Sequence, residues 1–271
     1  MSKKSLPIPG ELGMGLSLFL SAVAWVVFAF FTLLLFLTGV FIGMPLSFLF
    51  DGGTRRMIHI VARLWGRGLI FFCPLWSIHV EGRENIEPGA HYVITANHQS
   101  LLDILVVLSG LPVHFKFMAK KELFSIPVMG WHMTLAGYIP IDRGKKESAR
   151  DAVAAAKSWI HRKVSVLFFP EGTRSQDGEI QAFKAGAFKV AAQERAPILP
   201  VIVEGTGDAL PKHSWVFRQR SRFRLYIGKP VPALTTDAPE EVEALRENVR
   251  AAMIHHLAQI RARHKNSKGA S

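Results

Sequence analysis

A histidine and an aspartate, His98 and Asp103, lie five positions apart in the segment 95–103. A neutral imidazole can take a proton from a hydroxyl group, and a nearby carboxylate can fix its tautomer and stabilise the imidazolium that forms. Such a pair could activate an alcohol for attack on a carbonyl carbon without an enzyme nucleophile. Five residues of regular helix rotate by about 500°, so the two side chains meet only if the chain turns between them and a helix begins near Ser100.

Both residues also have structural interpretations. The stretch 100–103 resembles a capping box, in which a carboxylate reaches back to the backbone at the start of a helix, although Asp103 stands where Glu is usual. His98 could equally be a loop histidine whose ring is satisfied by hydrogen bonds. The spacing alone leaves these alternatives open.

A second group of residues suits a phosphate. The apolar segment 164–169 runs into the loop Pro170-Glu171-Gly172-Thr173-Arg174-Ser175. The guanidinium of Arg174 offers a planar fork for phosphate oxygens, and Gly172 lets the backbone approach a ligand closely. The alternative is a β-turn with an exposed salt bridge. Three further cations, Lys120, Lys121 and Arg143, could add positive charge to the same pocket.

Short apolar runs alternate with helical patterns from residue 76 onward, which predicts an α/β domain with a mixed, largely parallel sheet flanked by helices. The predicted strands are 77–81, 92–96, 115–118, 164–169, 198–203 and 223–227, and the predicted helices are 101–109, 123–135, 147–162, 183–195 and 240–263. The catalytic domain would span 76–264, and residues 265–271 are expected to be a disordered tail.

The N-terminal part, residues 1–75, is predicted to be a two-helix membrane anchor. The 39 residues between Glu11 and Asp51 carry no charge. One straight helix of that length would measure about 58 Å against a hydrocarbon core of about 30 Å, and Gly39, Gly43 and Pro45 offer a break. Whether the anchor spans the bilayer or enters one leaflet stays open.

The second anchor helix has a basic face, formed by Arg56, His59, Arg63 and Arg67 at spacings of three and four. This pattern suits a helix in the membrane interface with its cations facing lipid phosphates. The alternative is an amphipathic helix packed on the following domain. The arginines favour a cytoplasmic position for everything that follows.

Composition agrees with an anionic partner. The chain has 33 Lys and Arg against 21 Asp and Glu, a formal charge of +12, and 49% hydrophobic residues. A basic, apolar protein favours a phospholipid surface, nucleic acid or a phosphorylated metabolite. The basic residues are dispersed and no nucleic-acid-reading motif is present, so no nucleic-acid partner is expected. The single cysteine, Cys73, rules out an intramolecular disulfide.

Four ordered motifs together resemble the glycerolipid acyltransferase family, and most closely its bacterial 1-acylglycerol-3-phosphate acyltransferases. They are Asn97-His98-Gln99-Ser100 with Asp103, then Ile139-Pro140-Ile141-Asp142-Arg143, then Phe169-Pro170-Glu171-Gly172-Thr173-Arg174-Ser175, then Ile198-Leu199-Pro200-Val201. The resemblance covers roughly residues 75–235, and a hydrophobic N-terminal anchor is usual in that family.

The resemblance implies that His98 is the general base for the 2-hydroxyl of lysophosphatidic acid and that Asp103 orients and charge-balances it. The activated oxygen would attack the thioester of acyl-coenzyme A or acyl carrier protein, and the product would be phosphatidic acid. No cofactor is implied beyond this co-substrate. No metal is expected either, because the thioester is already activated and no cluster has metal-ligand spacing.

The resemblance also implies the binding residues. Arg174, with Gly172 and Thr173, would hold the phosphate of the acceptor, and Lys121 would be a second phosphate contact. Glu171 would organise the acceptor or the loop. The enzyme is expected at the cytoplasmic (inner) membrane, on anionic phospholipid, with its catalytic domain in the cytoplasm.

Two alternatives remain. The acceptor could be glycerol-3-phosphate, a lyso-ornithine lipid or another lysophospholipid, because the motifs indicate a phosphate-handling O-acyltransferase better than they specify its acceptor. The chain could also be a non-catalytic, membrane-tethered protein that binds anionic lipid.

Overall fold

The computed structural model describes residues 13–142, 144–210, 215–217 and 220–269. Its apolar N-terminal segment is one continuous helical rod, formed by α1 (Met14–Thr38), a π-helical turn (Gly39–Gly43) and α2 (Met44–Phe50). The rod is 37 residues long and apolar enough to cross a membrane. Only 11% of its most apolar stretch is buried, whereas the core helix of a soluble domain is mostly buried.

The predicted break in this rod is a π-helical turn instead. The N–H of Met44 donates to the carbonyl of Gly39, five residues back, and Pro45 follows with no N–H to place. Gly39 and Gly43 are both buried. A Cβ on Gly39 would lie 3.3 Å from Nδ1 of His132. The glycines therefore allow the rod to pack closely on the domain, and they do not end the helix.

The next helix, α3 (Arg56–Phe72), packs on the following domain, which was the alternative to a helix whose basic face meets lipid phosphates. His59 is 1% exposed, and its ring meets Phe115 edge-on at 4.7 Å. Burial lowers the pKa of His59 well below its ordinary value, so the ring is neutral there. Arg67 donates from Nε to the carbonyl of Ser109 at 3.1 Å. The apolar side of α3 packs on the domain. As a result, His59 and Arg67 of the basic face contact the domain.

The domain is built on a seven-stranded sheet in the order β1-β7-β6-β2-β5-β3-β4. All neighbouring strands are parallel except β6 and β7, which are antiparallel. The strands are β1 (Trp76–Glu81), β2 (Val93–Ala96), β3 (Phe115–Lys120), β4 (Ile139–Ile141), β5 (Ser165–Phe168), β6 (Ile198–Glu204) and β7 (Ser221–Ile227). The predicted mixed, largely parallel sheet is confirmed.

Helices cover both faces of this sheet, as predicted. One face carries α3 with α4 (Asp103–Gly110) and α5 (Met129–Leu135), and α1 packs outside α3. The other face carries three helices, α6 (Lys146–His161), α7 (Gly186–Gln193) and α9 (Pro239–Gly269). A short helix, α8 (Thr206–Ala209), follows β6. The N-terminal rod and α9 therefore lie on opposite faces of the sheet.

The structure differs from the predictions in three places. The motif at 139–141 forms the edge strand β4, which sequence periodicity missed because three residues are too short to show a pattern. The predicted helix 123–135 is divided into a 3₁₀ turn (Lys121–Ser125) and α5, with Pro127 between them. The expected disordered tail is helical as far as Gly269, since no helix breaker precedes that glycine. Residues 270–271 and Arg143 lie outside the described residues.

Candidate active site

The two constellations predicted from the sequence meet at one edge of the sheet. His98 follows β2 by two residues, and the loop of residues 170–175 follows β5. Because β2 and β5 are adjacent and parallel, their carboxyl ends open at the same edge, which is where α/β domains place their ligands.

His98 and Asp103 form a buried pair. Nδ1 of His98 lies 2.7 Å from Oδ2 of Asp103, and the two side chains are 11% and 0% exposed. The chain turns between them and α4 begins at Asp103, so the predicted turn is confirmed, with the helix starting three residues after Ser100. Phe169 stacks on the imidazole with ring centroids 4.2 Å apart. With Nδ1 engaged by the carboxylate, Nε2 is the ring nitrogen left for a substrate.

The Asp103 carboxylate is held by four donors. Oδ2 accepts hydrogen bonds from the N–H groups of Gln99 (2.7 Å) and Ser100 (3.0 Å), in addition to His98. Oδ1 accepts from the hydroxyl of Thr206. The bond from Ser100 N–H is one half of a capping box. The Ser100 oxygen accepts from the N–H of Leu102 at 3.4 Å, one residue before the position used in a full capping box, while its hydroxyl donates to the carbonyl of Leu210. Asp103 therefore combines the capping and histidine-orienting geometries.

Thr206 gives a direct test of this arrangement. Thr206→Val removes the hydroxyl with little change in shape, and it leaves the buried Oδ1 of Asp103 without that donor. We expect kcat to fall about tenfold, the effect of one lost hydrogen bond to a charged group of about 1.5 kcal/mol. Thr206→Ser keeps the hydroxyl and should retain most of the activity. Equal losses of kcat in the two variants would show that the methyl group, and not the hydroxyl, is what matters.

Glu171 fixes the backbone around the histidine. Its carboxylate is buried and accepts hydrogen bonds from the N–H of His98 (2.9 Å, Oε1) and the N–H of Gln181 (3.2 Å, Oε2). Ser175 N–H donates to the carbonyl of His98 at 2.8 Å. Burial raises the pKa of Glu171, while the two N–H donors lower it. These contacts support loop organisation as the role of Glu171.

The Arg174 side of the loop has unused binding capacity. Gly172 has φ +73°, and a Cβ there would lie 2.5 Å from Nζ of Lys184. Arg174 is half-buried, Thr173 is exposed, and neither side chain has a hydrogen-bonding or ionic partner among the described residues. The exposed salt bridge of the alternative interpretation, an ordinary β-turn, is therefore not made by Arg174 within that part of the chain. A second cation, Lys184, lies over the loop. It was not predicted from the sequence, because it belongs to no local motif.

Lys121 lies at the same edge but farther along it. It directly follows β3, the strand next to β5, so it is one strand spacing of about 5 Å beyond the phosphate-suited loop. Its side chain is exposed and makes no ion pair with a described residue. The fold thus brings Lys121 to the rim of the site without direct contact to Arg174.

Long-range contacts that the sequence does not reveal complete the site. The side-chain amide of Asn97 donates from Nδ2 to the carbonyl of Val203 (2.9 Å) and accepts from its N–H (2.8 Å). Gln99 donates from Nε2 to Glu204 (3.1 Å), which also pairs with Arg261 of α9 (3.1 Å). These bonds tie the His98 loop to β6 and to the last helix. No group of three or more His, Cys, Asp or Glu residues in the described ranges could hold a metal ion.

Comparison with known proteins identifies the family. A family model described as Acyltransferase matches residues 77–204. The chloroplastic 1-acyl-sn-glycerol-3-phosphate acyltransferase LPAT1 of Arabidopsis thaliana is 38% identical over 197 residues, which are 72% of this chain and 54% of that protein. Human 1-acyl-sn-glycerol-3-phosphate acyltransferase alpha is 34% identical over 190 residues, 69% of this chain and 66% of that protein. This chain thus spans about half the length of the plant relatives it matches.

A solved structure matches almost the whole fold. The 1-acyl-sn-glycerophosphate (LPA) acyltransferase PlsC from Thermotoga maritima superimposes with a TM-score of 0.76 at 28% identity, covering 91% of this chain and 96% of that one. Both His98 with Asp103 and the loop of residues 170–175 lie inside the residues matched by the family model. The resemblance seen in the motifs is confirmed, and this chain belongs to the acyltransferase family.

Proposed function

We propose that this protein transfers a fatty acyl group from a thioester donor to the 2-hydroxyl of 1-acylglycerol-3-phosphate, which gives phosphatidic acid. The observation that carries the proposal is the arrangement at the carboxyl edge of the sheet. A carboxylate-bound imidazole has its Nε2 left for a substrate, and the adjacent loop presents an arginine without a partner among the described residues. The names of the relatives support this acceptor.

In the proposed reaction, Nε2 of His98 takes the proton of the acceptor hydroxyl while its oxygen attacks the thioester carbonyl. The new C–O bond forms, the C–S bond breaks, and the imidazolium returns its proton to the leaving thiolate. Asp103 holds Nδ1–H and stabilises the imidazolium charge. The atoms, protons and charges of this step balance without a metal or a redox partner. Acyl-coenzyme A or acyl carrier protein would supply the thioester.

Binding of the acceptor is proposed to use the cations at the same edge. Arg174 would form charge-assisted hydrogen bonds to the phosphate, with Gly172 and Thr173 bringing the loop backbone close. Lys121 would contribute a second positive charge at the rim. In this division, His98 performs the proton transfer and Arg174 orients the acceptor. The binding energy of the phosphate then holds the acceptor hydroxyl close to the base.

The membrane would deliver the acceptor. Lysophosphatidic acid and phosphatidic acid both carry acyl chains, and the apolar rod of residues 14–50 has the length and composition of a membrane anchor. We propose that the protein sits on anionic phospholipid at the cytoplasmic membrane with its catalytic domain in the cytoplasm. The charge of +12 would concentrate anionic lipid and donor there.

A panel of acceptors tests the function. The purified full chain is given one labelled acyl donor with 1-acylglycerol-3-phosphate, glycerol-3-phosphate, lyso-ornithine lipid or other lysophospholipids, and both acyl transfer and thiol release are measured. We expect 1-acylglycerol-3-phosphate to give the highest kcat/KM. A higher kcat/KM for another acceptor would move the assignment to that lipid. Binding of lysophosphatidic acid without thiol release would show a non-catalytic lipid-binding protein.

A further inference from the structure

A second basic site lies on the α9 face of the sheet, away from the His98 loop. It is a groove of about 410 Å³, the arginine groove, between β1, β7 and α9. Its lining includes Arg222 and Arg224 of β7, Arg263 and Ile260 of α9, and His79 and Glu81 of β1. This volume is within the range of about 300–1,000 Å³ for small-molecule sites.

The groove carries an excess of positive charge. Arg222 and Arg224 alternate with the buried Phe223, so both project from the same face of β7, and the exposed Arg220 continues the alternation before the strand. Against these arginines the lining offers one carboxylate, Glu81, which Arg263 approaches at 3.4 Å. Arg222 has no ionic or hydrogen-bonding partner among the described side chains. An anion with several charges would give Arg222 a partner and would be attracted by the positive charge of the groove.

The position of the groove favours a water-soluble ligand over a lipid headgroup. The N-terminal rod and α3 pack on one face of the sheet, while Arg222 and Arg224 lie with α9 on the opposite face. A headgroup held at a membrane by the rod would approach the sheet from the other side. The groove therefore opens toward the aqueous side in the proposed membrane arrangement.

The groove is also within reach of the catalytic histidine. In the antiparallel pairing of β6 and β7, Arg224 stands opposite Glu204, and Glu204 accepts a hydrogen bond from Gln99, which follows His98. β7 is two strands from β2, a separation of about 10 Å. An extended phosphopantetheine arm is longer than this strand separation, so its length suffices to cross from β7 to the β2 edge that carries His98.

We propose that the arginine groove binds the phosphate groups of coenzyme A when an acyl-coenzyme A thioester is the donor. The groove is sized for a nucleotide, whereas docking of a carrier protein would need a contact surface of about 800 Å² on each partner. This inference rests on the proposed acyl transfer for its reaction, but the site can be tested by binding alone.

The test compares Arg222→Gln and Arg222→Gln/Arg263→Gln with a charge-matched control, Arg150→Gln/Lys189→Gln, whose residues are exposed on α6 and α7. We expect KM for acyl-coenzyme A to rise about fivefold in the single variant and about 25-fold in the double variant, from about 1 kcal/mol per partly exposed contact. The control should leave KM unchanged. With an acyl-pantetheine donor, which lacks phosphates, all variants should match the unaltered protein.

Titration of coenzyme A into the full chain, at physiological ionic strength and without acceptor, separates this proposal from the proposed function. Weaker coenzyme A binding in the groove variants supports the site even if another acceptor is used. Unchanged coenzyme A affinity would overturn it. So would an equal rise in KM for acyl-pantetheine, or a rise confined to acyl carrier protein, which would indicate carrier-protein docking instead.

Discussion

His98→Ala is expected to lower kcat by about 10²–10⁴-fold, the usual contribution of a positioned general base. Asp103 and Phe169 both hold the imidazole at this edge, with 2.7 Å from Nδ1 to the carboxylate and 4.2 Å between the ring centroids. Its removal leaves the Arg174 side chain and the backbone hydrogen bonds of residue 98 to Glu171 and Ser175 in place. Binding of lysophosphatidic acid should therefore stay close to normal, and the kcat and acceptor affinity are measured separately.

A matched control is His161→Ala, which removes an imidazole whose side chain is 86% exposed on α6. It should leave kcat and thermal stability unchanged. Near-normal turnover in His98→Ala would exclude the general-base role. A loss of turnover accompanied by an equal loss of lysophosphatidic acid binding would indicate a binding role for His98 instead.

Asp103→Asn isolates the charge of the carboxylate. The asparagine oxygen can occupy the position of Oδ2, where it would accept from His98, Gln99 and Ser100, and the amide nitrogen can donate to the oxygen of Thr206. The local hydrogen bonds are thus largely kept, while the counter-charge for an imidazolium is lost. We expect kcat to fall with an unchanged melting temperature, because the charge is needed only when His98 takes the proton.

The sequence was sufficient for the parts of the site that depend on local order. Residues 92–96 are predicted as a strand with His98 just after its end, and parallel strands place their carboxyl ends together, so the meeting of His98 with the Arg174 loop was predictable. The family motifs then supplied the roles. The turn that joins His98 to Asp103 followed from geometry, since no regular helix could bring them together.

The missed contacts depend on separations that no local pattern records. Thr206 lies 103 positions from Asp103, and Asn97 and Val203 are 106 positions apart. In the sequence, a threonine after a strand and an asparagine before a histidine look like ordinary loop residues. Their partners are known only once the sheet order places β6 beside β2. Such pairings require the tertiary fold, because each partner alone has many equivalent alternatives.

The basic stripe of α3 shows a different limit. Spacings of three and four correctly predicted one helical face, but periodicity does not say what covers that face. His59 is neutral and buried although it belongs to the stripe, while Arg56 is exposed. Deprotonating a histidine near neutral pH costs little free energy, so a neutral histidine can be buried. An arginine keeps its charge and needs a polar partner or water.

Arg174→Ala is expected to weaken binding of lysophosphatidic acid steeply and to affect the chemical step less. A hydrogen bond to a charged group contributes about 1.5–3 kcal/mol, so the loss of the guanidinium should raise the apparent KM for the acceptor by about 10- to 150-fold. Arg174→Lys keeps the charge but not the planar fork, and its KM should lie between those of the unaltered protein and the alanine variant.

The acceptor itself offers the sharpest control for this role. A 1-acylglycerol has the same 2-hydroxyl as lysophosphatidic acid but no phosphate, so Arg174→Ala should not alter its slow acylation. The variant therefore changes the ratio between the two acceptors, which a general loss of folding or of His98 chemistry would leave constant. Arg150→Ala, on the exposed side of α6, should leave both rates unchanged. An unaltered affinity for lysophosphatidic acid in Arg174→Ala would exclude the phosphate contact, and Lys184 or Lys121 would then be the next cation to test.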